Sequence, residues 1–346
     1  MESACEGPNQ GDIADLSVLS IQKLLSNDPE EAIRLFSACP KWGFFYVDLA
    51  SNATELYRAS TDHLQGFAVQ YFNQPLEEKM QDTNEAWETF NICGYKPRSL
   101  DTGNVEGKKD GCEGLRLPAD VILLRETPLQ FPRGAEMHRD QTGTFIEQSY
   151  AIAILILSRL SDNLGLTGAS RLENLHRADR PSTSTAVLQH YPFEGDLPAD
   201  TSTGHFTHTD TGSVTILFNT EWGLQVCSPY SEEWKYVPPA KGTRAIVNIG
   251  DTVKFLTAGR LKSCLHRVVP YLDRWTRGSR YAIISFLRAN NDVEFEDIED
   301  RRGNAKDWLN RKFLNYRSPH EVQKQNPMAT GRLGFVGLWR PGTTAY

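Results

Sequence analysis

The spacing of apolar residues along this chain changes period once. Before about residue 186 the repeats are helical. Leu56, Leu64, Phe67, Ala68 and Tyr71 return at helical spacing, and Thr144 to Leu164 repeats the pattern more strongly. Asp28-Pro29-Glu30-Glu31 opens a further helix, with Asp as cap, Pro at the first helical position and acids facing the positive end of the dipole. It runs through Ala32, Ile33, Leu35 and Phe36 and stops near Pro40. Trp42 to Val47 reads as a short aromatic and β-branched strand, and residues 1 to about 28 as a loosely held start.

From residue 186 the period is two. The alternating segments are Val187 to Tyr191, His205 to Asp210, Ser213 to Phe218, Leu224 to Cys227, Trp234 to Val237, Arg244 to Ile249, Cys264 to Val269 and Arg280 to Leu287. Short strands about ten residues apart, divided by Gly, Pro, Asp and Ser, predict an antiparallel sandwich or barrel rather than a βαβ sheet. A helix is expected over Asn304 to Tyr316. Beyond Ser318 a Gly- and Pro-bearing end carries Phe335, Trp339 and Tyr346, to lie as a lid over the barrel mouth or as a tail. One domain is expected over 1–346, with mostly helical support in 1–185, the strand-rich core in 186–290 and the helix with its lid or tail in 291–346.

Composition narrows the function. The 346 residues, 39% of them hydrophobic, can fill a core without disulfide or metal staples. With 37 Lys and Arg against 44 Asp and Glu the net charge is −7. Without a dense basic tract, nucleic acid is a poor partner. The longest apolar run, Tyr150 to Leu157, is far short of the roughly 20 residues that cross a bilayer, so no membrane span is expected. The first basic residue is Lys23, which argues against a leader, and the 6 cysteines form no C-x-x-C pair. A reducing, cytoplasmic location is the expectation. Phosphate-loop, zincin, serine-hydrolase and dinucleotide motifs are absent.

One short motif carries chemistry. In His208-Thr209-Asp210 the imidazole and carboxylate are two apart on a strand, so they share a side. His266, on the later strand Cys264 to Val269, supplies a third ligand. Two His and one carboxylate form the facial set that leaves positions open on a non-haem Fe(II). A second such triplet, His138-Arg139-Asp140, precedes a helix, has no later His in a matching strand and is set aside. His205 has the opposite parity to His208 and is expected to face away, as is His190. Arg280 shares its parity with Ala282, Ile284 and Phe286, so its charge lies on an inward face and needs a carboxylate. A planar guanidinium holds one bidentately, which makes a small dicarboxylate the natural guest.

The run from Gln189-His190-Tyr191-Pro192 through His208-Thr209-Asp210, Gly223-Leu224-Gln225-Val226, Val247-Asn248-Ile249-Gly250-Asp251 and Leu265-His266-Arg267-Val268 to Arg280-Tyr281-Ala282 resembles the isopenicillin N synthase-like branch of the Fe(II)/2-oxoglutarate-dependent oxygenases. Lys41 to Val47 and Cys93-Gly94-Tyr95 are similar to that branch too. The resemblance implies a mainly β fold, a double-stranded β-helix or jelly-roll core braced by amino-terminal helices. It implies Fe(II) on His208, Asp210 and His266, and 2-oxoglutarate with its distal carboxylate on Arg280 and Tyr191 and its 2-oxo acid on the iron. O2 is the second co-substrate, and a small molecule of specialised metabolism is hydroxylated, desaturated or rearranged. Two positions depart from the family pattern. Ala282 stands where the family has Ser, which removes a hydroxyl donor, and Gln189 stands where it has Asn. Tyr95, Lys96, Arg98, Phe193 and Phe286 are the expected substrate-pocket walls. An iron oxidase that does without 2-oxoglutarate, and a non-catalytic jelly-roll binding protein, remain as alternatives.

Overall fold

The computed structural model describes residues 8–83, 93–124, 127, 129–192, 204–219, 221–269, 279–335 and 337–339. The strands of its two main sheets, in chain order, are β1 (Val18–Ser20), β2 (Phe44–Asp48), β3 (Gly94–Lys96), β4 (Glu113–Pro118), β5 (Thr185–Tyr191), β6 (His205–His208), β7 (Val214–Asn219), β8 (Leu224–Cys227), β9 (Trp234–Tyr236), β10 (Arg244–Ile249), β11 (His266–Val268) and β12 (Arg280–Leu287). They form an eight-stranded sheet, ordered β1-β2-β10-β7-β12-β5-β4-β3, and a four-stranded sheet, ordered β6-β11-β8-β9. Every strand pairing in these sheets is antiparallel except β1 with β2. This is the expected jelly-roll core. The segment before residue 185 is less helical than its pattern predicts, because β1 to β4 extend the large sheet at both edges.

Helices of the amino-terminal half cover the outer face of that sheet, and those of the carboxy-terminal part pack elsewhere. Along the chain they are α1 (Ile21–Leu25), α2 (Pro29–Lys41), α3 (Glu55–Phe72), α4 (Leu76–Met80), α5 (Asp120–Leu123), α6 (Arg139–Leu164), α7 (Asp251–Leu256), α8 (Ala305–Arg317) and α9 (His320–Gln323). The Asp28 carboxylate caps α2 by accepting from the Glu31 N–H at 3.0 Å. Helix α6 ends at Gly165, whose φ of 70° suits a residue without Cβ. Leu64, Phe67, Ile156 and Leu160 of α3 and α6 join Phe45, Leu115, Leu188, Ile216, Val247 and Ile283 of the sheet in one buried cluster. The alternate residues Phe44, Val187, Leu217, Ile246 and Ile284 join Leu224, Val226 and Val268 of the small sheet in a second. The large sheet is thus buried on both faces, and the space between the sheets is where a site can form. Among the described residues no helix is long and apolar enough to cross a membrane.

Strand β4, one in from the edge, is locked by one carboxylate. Glu113 is buried and accepts hydrogen bonds from Lys79 at 2.8 Å, from the Tyr95 hydroxyl and from His190 Nδ1 at 2.8 Å. Burial raises its pKa, but those bonds outweigh burial and bring it down to about 2. His190 is therefore structural, as its parity implied. A carboxylate depressed from 4.5 contributes stability that is complete above about pH 4.5 and is lost as pH falls toward 2. Chemical unfolding of the metal-free protein should show Glu113→Gln less stable by about 3 kcal/mol at neutral pH, with the difference shrinking between pH 4.5 and 2.

Candidate metal centre

Three side chains converge between the sheets. His208 ends β6, Asp210 follows in the turn, and His266 lies directly opposite His208 on β11. One ligand atom of each lies within 4.8 Å of the other two. Both imidazoles have a fixed orientation: His208 Nδ1 meets the Phe206 carbonyl at 2.8 Å and His266 Nδ1 meets the Cys264 carbonyl at 3.1 Å. The N–H therefore sits on Nδ1 in each ring, and each Nε2 lone pair lies 3.6 Å from Asp210 Oδ1. Burial, and then the neighbouring His208, lower the His266 pKa to about 4, so this ring is neutral at physiological pH.

Asp210 is divided between two tasks. Its Oδ2 accepts from Thr215 Oγ1 at 2.6 Å and from Asn248 Nδ2 at 2.7 Å, which leaves Oδ1 for the inter-imidazole space. Burial raises this carboxyl, and the Thr215 hydroxyl, donating to the charged form, acts in the opposite direction. The turn is held from behind. Asp251 N–H donates to the Asp210 carbonyl at 2.8 Å, and the Tyr316 hydroxyl of α8 donates to the Thr209 carbonyl at 2.9 Å. The wholly buried Lys312 bridges Thr209 and Asp251. Gly250 makes this possible, since a Cβ there would lie 2.3 Å from the Gly212 carbonyl oxygen.

Two cavities meet at the triad. The first lies inward and is lined by Gln189, Tyr191, Arg280, Ala282 and Phe286 with the three candidate ligands. Arg280 is 1% exposed and faces Tyr191 across the β12–β5 pairing. Its Nε reaches the Glu221 carbonyl at 3.4 Å, while Nη1 has no hydrogen-bond partner among the described residues. A buried guanidinium with an unused donor, in one cavity with two lone pairs and a carboxylate oxygen, fits a dicarboxylate that also reaches a metal. Gln189, opposite Ala282 in the same register, has its amide on Cys112 Sγ at 3.1 Å.

The second cavity opens toward α8 and is lined by Lys96, Arg116, Phe206, Phe286, Arg288 and Phe313 along with His208 and Asp210. Of the expected pocket walls, Phe286 lines both cavities and Lys96 the second. Tyr95 lines neither. On a short strand its parity turns it to Glu113 and Tyr71, and its neighbour Lys96 faces the cavity instead. Arg98 is exposed and lines neither cavity. Phe193 and Tyr346 lie outside the described residues.

One further expectation is corrected. His205 does not face away: it lines both cavities, with its ring 4.8 Å from that of His208. The cause is a bulge, in which β6 spans His205 to His208 while β11 spans only Val268 to His266, and the extra residue reverses parity. The described part of the carboxy-terminal segment, read from the sequence as lid or tail, is held by backbone carbonyls. Gly337 accepts from Thr207 and Arg267, and Ala329 accepts from the Thr209 N–H, so it braces the outer face of the small sheet. His138 of the set-aside triplet stacks on Phe67 and bonds His63.

The family model for the 2OG-Fe(II) oxygenase superfamily matches residues 182–289, which hold the candidate ligands, Tyr191 and Arg280. A second, described as the non-haem dioxygenase in morphine synthesis N-terminal, matches residues 12–133. A 2-oxoglutarate-dependent dioxygenase of Gibberella zeae is 36% identical over 92% of this chain and 92% of its own. The chain belongs to the 2OG-Fe(II) oxygenase superfamily. It is an enzyme whose cofactor is Fe(II) and whose co-substrates are 2-oxoglutarate and O2. The superfamily relative gloE of Glarea lozoyensis, a 2-oxoglutarate-dependent dioxygenase, is 33% identical over 93% of this chain and 94% of its own. A full-length Neurospora crassa protein, solved in complex with alpha-KG, shares the fold with a TM-score of 0.70 at 20% identity, covering 88% of this chain and 98% of that one.

Sequence reasoning missed Thr215 and Asn248, the donors behind Asp210, although both are polar residues on inward positions of otherwise apolar strands. Asn248→Ala removes one of them and is expected to weaken Fe(II) binding about ten- to hundredfold, read by anaerobic titration of the metal-free protein.

Proposed function

We propose that His208, Asp210 and His266 hold the Fe(II), that Arg280 and Tyr191 hold the distal carboxylate of 2-oxoglutarate with Gln189 and Ala282 beside it, and that the enzyme oxidises a small organic molecule of specialised metabolism. The reading places these roles in one catalytic domain of a cytoplasmic protein, where the five free thiols buried among the described residues stay reduced. The observation that carries it is the unpartnered Nη1 of buried Arg280, in one cavity with the two Nε2 atoms and Asp210 Oδ1. Iron, when bound with 2-oxoglutarate and O2, would supply the oxidising power, one oxygen atom of O2 going into succinate as carbon dioxide leaves and the other into the substrate's oxidation.

This chain's residues do the placing. The carbonyls of Phe206 and Cys264 hold both rings with Nε2 inward, while Thr215 and Asn248 hold Asp210 so that one oxygen is left for the metal. Tyr191 lies under the Arg280 guanidinium, 4.7 Å from ring centre to Cζ, and fixes its plane. Phe286, lining both cavities, and the apolar wall of Leu217, Leu224 and Ile284 keep the co-substrate side dry.

Anaerobic titration of the metal-free protein with Fe(II) and then 2-oxoglutarate should give a saturable visible charge-transfer band, lost or strongly weakened in Arg280→Ala. Iron binding without a band at any 2-oxoglutarate concentration would sink the co-substrate assignment and favour direct oxidation of a chelating substrate. Ala282→Ser restores a hydroxyl donor on the face of Arg280, a bond worth about 1.5 to 3 kcal/mol to a charged group. The same titration should therefore show 2-oxoglutarate binding at least about tenfold tighter in that variant.

A further inference from the structure

The second cavity carries charge that the metal and co-substrate do not use. Arg288 follows β12 and continues the inward parity of Arg280, Ala282, Ile284 and Phe286. It is 6% exposed. One terminal nitrogen donates to the Thr183 carbonyl, but among the described residues Nε has no hydrogen-bond partner and no carboxylate lies within 4.0 Å of the guanidinium. Arg116 enters the same cavity from β4. Burial, and then the nearby Arg116 charge, lower the Arg288 pKa to about 10, so two guanidiniums share a desolvated space.

Both are seated on aromatic faces. The Arg288 Cζ lies 5.2 Å from the Phe286 ring centre, and that of Arg116 lies 5.5 Å from Phe313 on α8. Stacking fixes the planes and leaves the N–H edges to act as donors. Gly212 makes room for the Arg288 stem, because a Cβ there would come within 2.9 Å of its Cγ. Lys96, the other cation on this wall, is held by Asp110 and by Asp101 at 3.6 Å. The rest of the lining includes Phe206 and Tyr316.

Resting on the proposed iron and 2-oxoglutarate site, we propose that the substrate is a carboxylic acid, its carboxylate bound by Arg288 with Arg116 and its apolar or aromatic body held among Phe206, Phe286 and Phe313 facing the metal. An anion settles both defects at once: it gives the Arg288 Nε an acceptor and offsets the repulsion between the two guanidiniums. A neutral carbonyl can accept from Nε but leaves the repulsion as it was, and its bond to the guanidinium is weaker than a carboxylate's.

The probes are benzoate, phenylacetate and 4-methylpentanoate, each beside its primary amide, titrated calorimetrically without oxygen into protein loaded with Fe(II) and saturating 2-oxoglutarate. Saturating co-substrate keeps the probes off Arg280. The expected result is that at least one acid binds at least tenfold more tightly than its amide, and that Arg288→Gln removes that preference while the Fe(II) and 2-oxoglutarate band persists. Arg288→Lys, which keeps the charge but loses the planar fork, should retain part of it. Because the comparison of acid with amide is made on the unaltered protein, it decides the matter even where a variant fails to fold. Amides that match their acids, a panel in which no acid binds, or an acid preference that survives Arg288→Gln would overturn the assignment and leave the metal site standing. Failure of the unaltered protein to form the band would instead overturn the reading beneath it.

Discussion

Asp210 carries a negative charge in a space sealed between two sheets, and the surrounding structure is arranged to make that charge tolerable. An unpaired buried carboxylate costs several kcal/mol. Here one oxygen takes two short hydrogen bonds from Thr215 on β7 and Asn248 on β10, both strands of the large sheet. The other oxygen faces imidazoles from β6 and β11 of the small sheet. The carboxylate therefore ties the sheets together, and its geometry is right only when both are in register. Lys312, Asp251 and Tyr316 extend the restraint to α8, so the helix that roofs the second cavity is fixed to the same turn.

Strand β12 organises charge on either side of that centre. Arg280 and Arg288 have the same parity, and at roughly 3.3 Å per residue their Cα atoms are about 26 Å apart. No single small anion spans that distance. The arrangement calls for two separate acceptors with the metal between them, one in each cavity. The intervening inward residues, Ala282, Ile284 and Phe286, are apolar, so this strand offers neither guanidinium a counter-charge between them.

Parity makes much of this legible from the sequence. A side chain on a regular strand faces the side its number dictates, so His208, Asp210, His266 and Arg280 fall together without coordinates, and period-two spacing locates the strands of the core. The same rule fails where a strand is irregular or very short. His205 reads as outward because nothing local marks a bulge: the extra residue is defined only against β11, some sixty residues later. Tyr95 and Lys96 are not separable in sequence because three residues of β3 carry no period, and β4 is hidden because Glu113 shares the face of Leu115 and Leu117, which leaves only two apolar positions to alternate. The carboxy-terminal segment has no pattern that fixes its position. Its anchors, Thr207 and Arg267, are the outward residues of the very strands whose inward residues hold the metal site.

The two cavities draw on different parts of the chain, and that has a chemical consequence. The inward cavity is built almost wholly from core strands, whose residues also hold Asp210 and both histidines in place. The cavity toward α8 takes Arg116 from β4, Phe313 from α8 and Arg288 from beyond the end of β12. The candidate ligands are positioned elsewhere, by the Thr215 and Asn248 side chains on Asp210 and by the Phe206 and Cys264 carbonyls on the imidazoles. A change at Arg116, Phe313 or Arg288 can alter which molecule is held while those four hydrogen bonds stay intact. A change at Thr215 or Asn248 disturbs the reaction for every substrate. Selectivity and chemistry are thus physically separable in this fold, because they rest on different side chains.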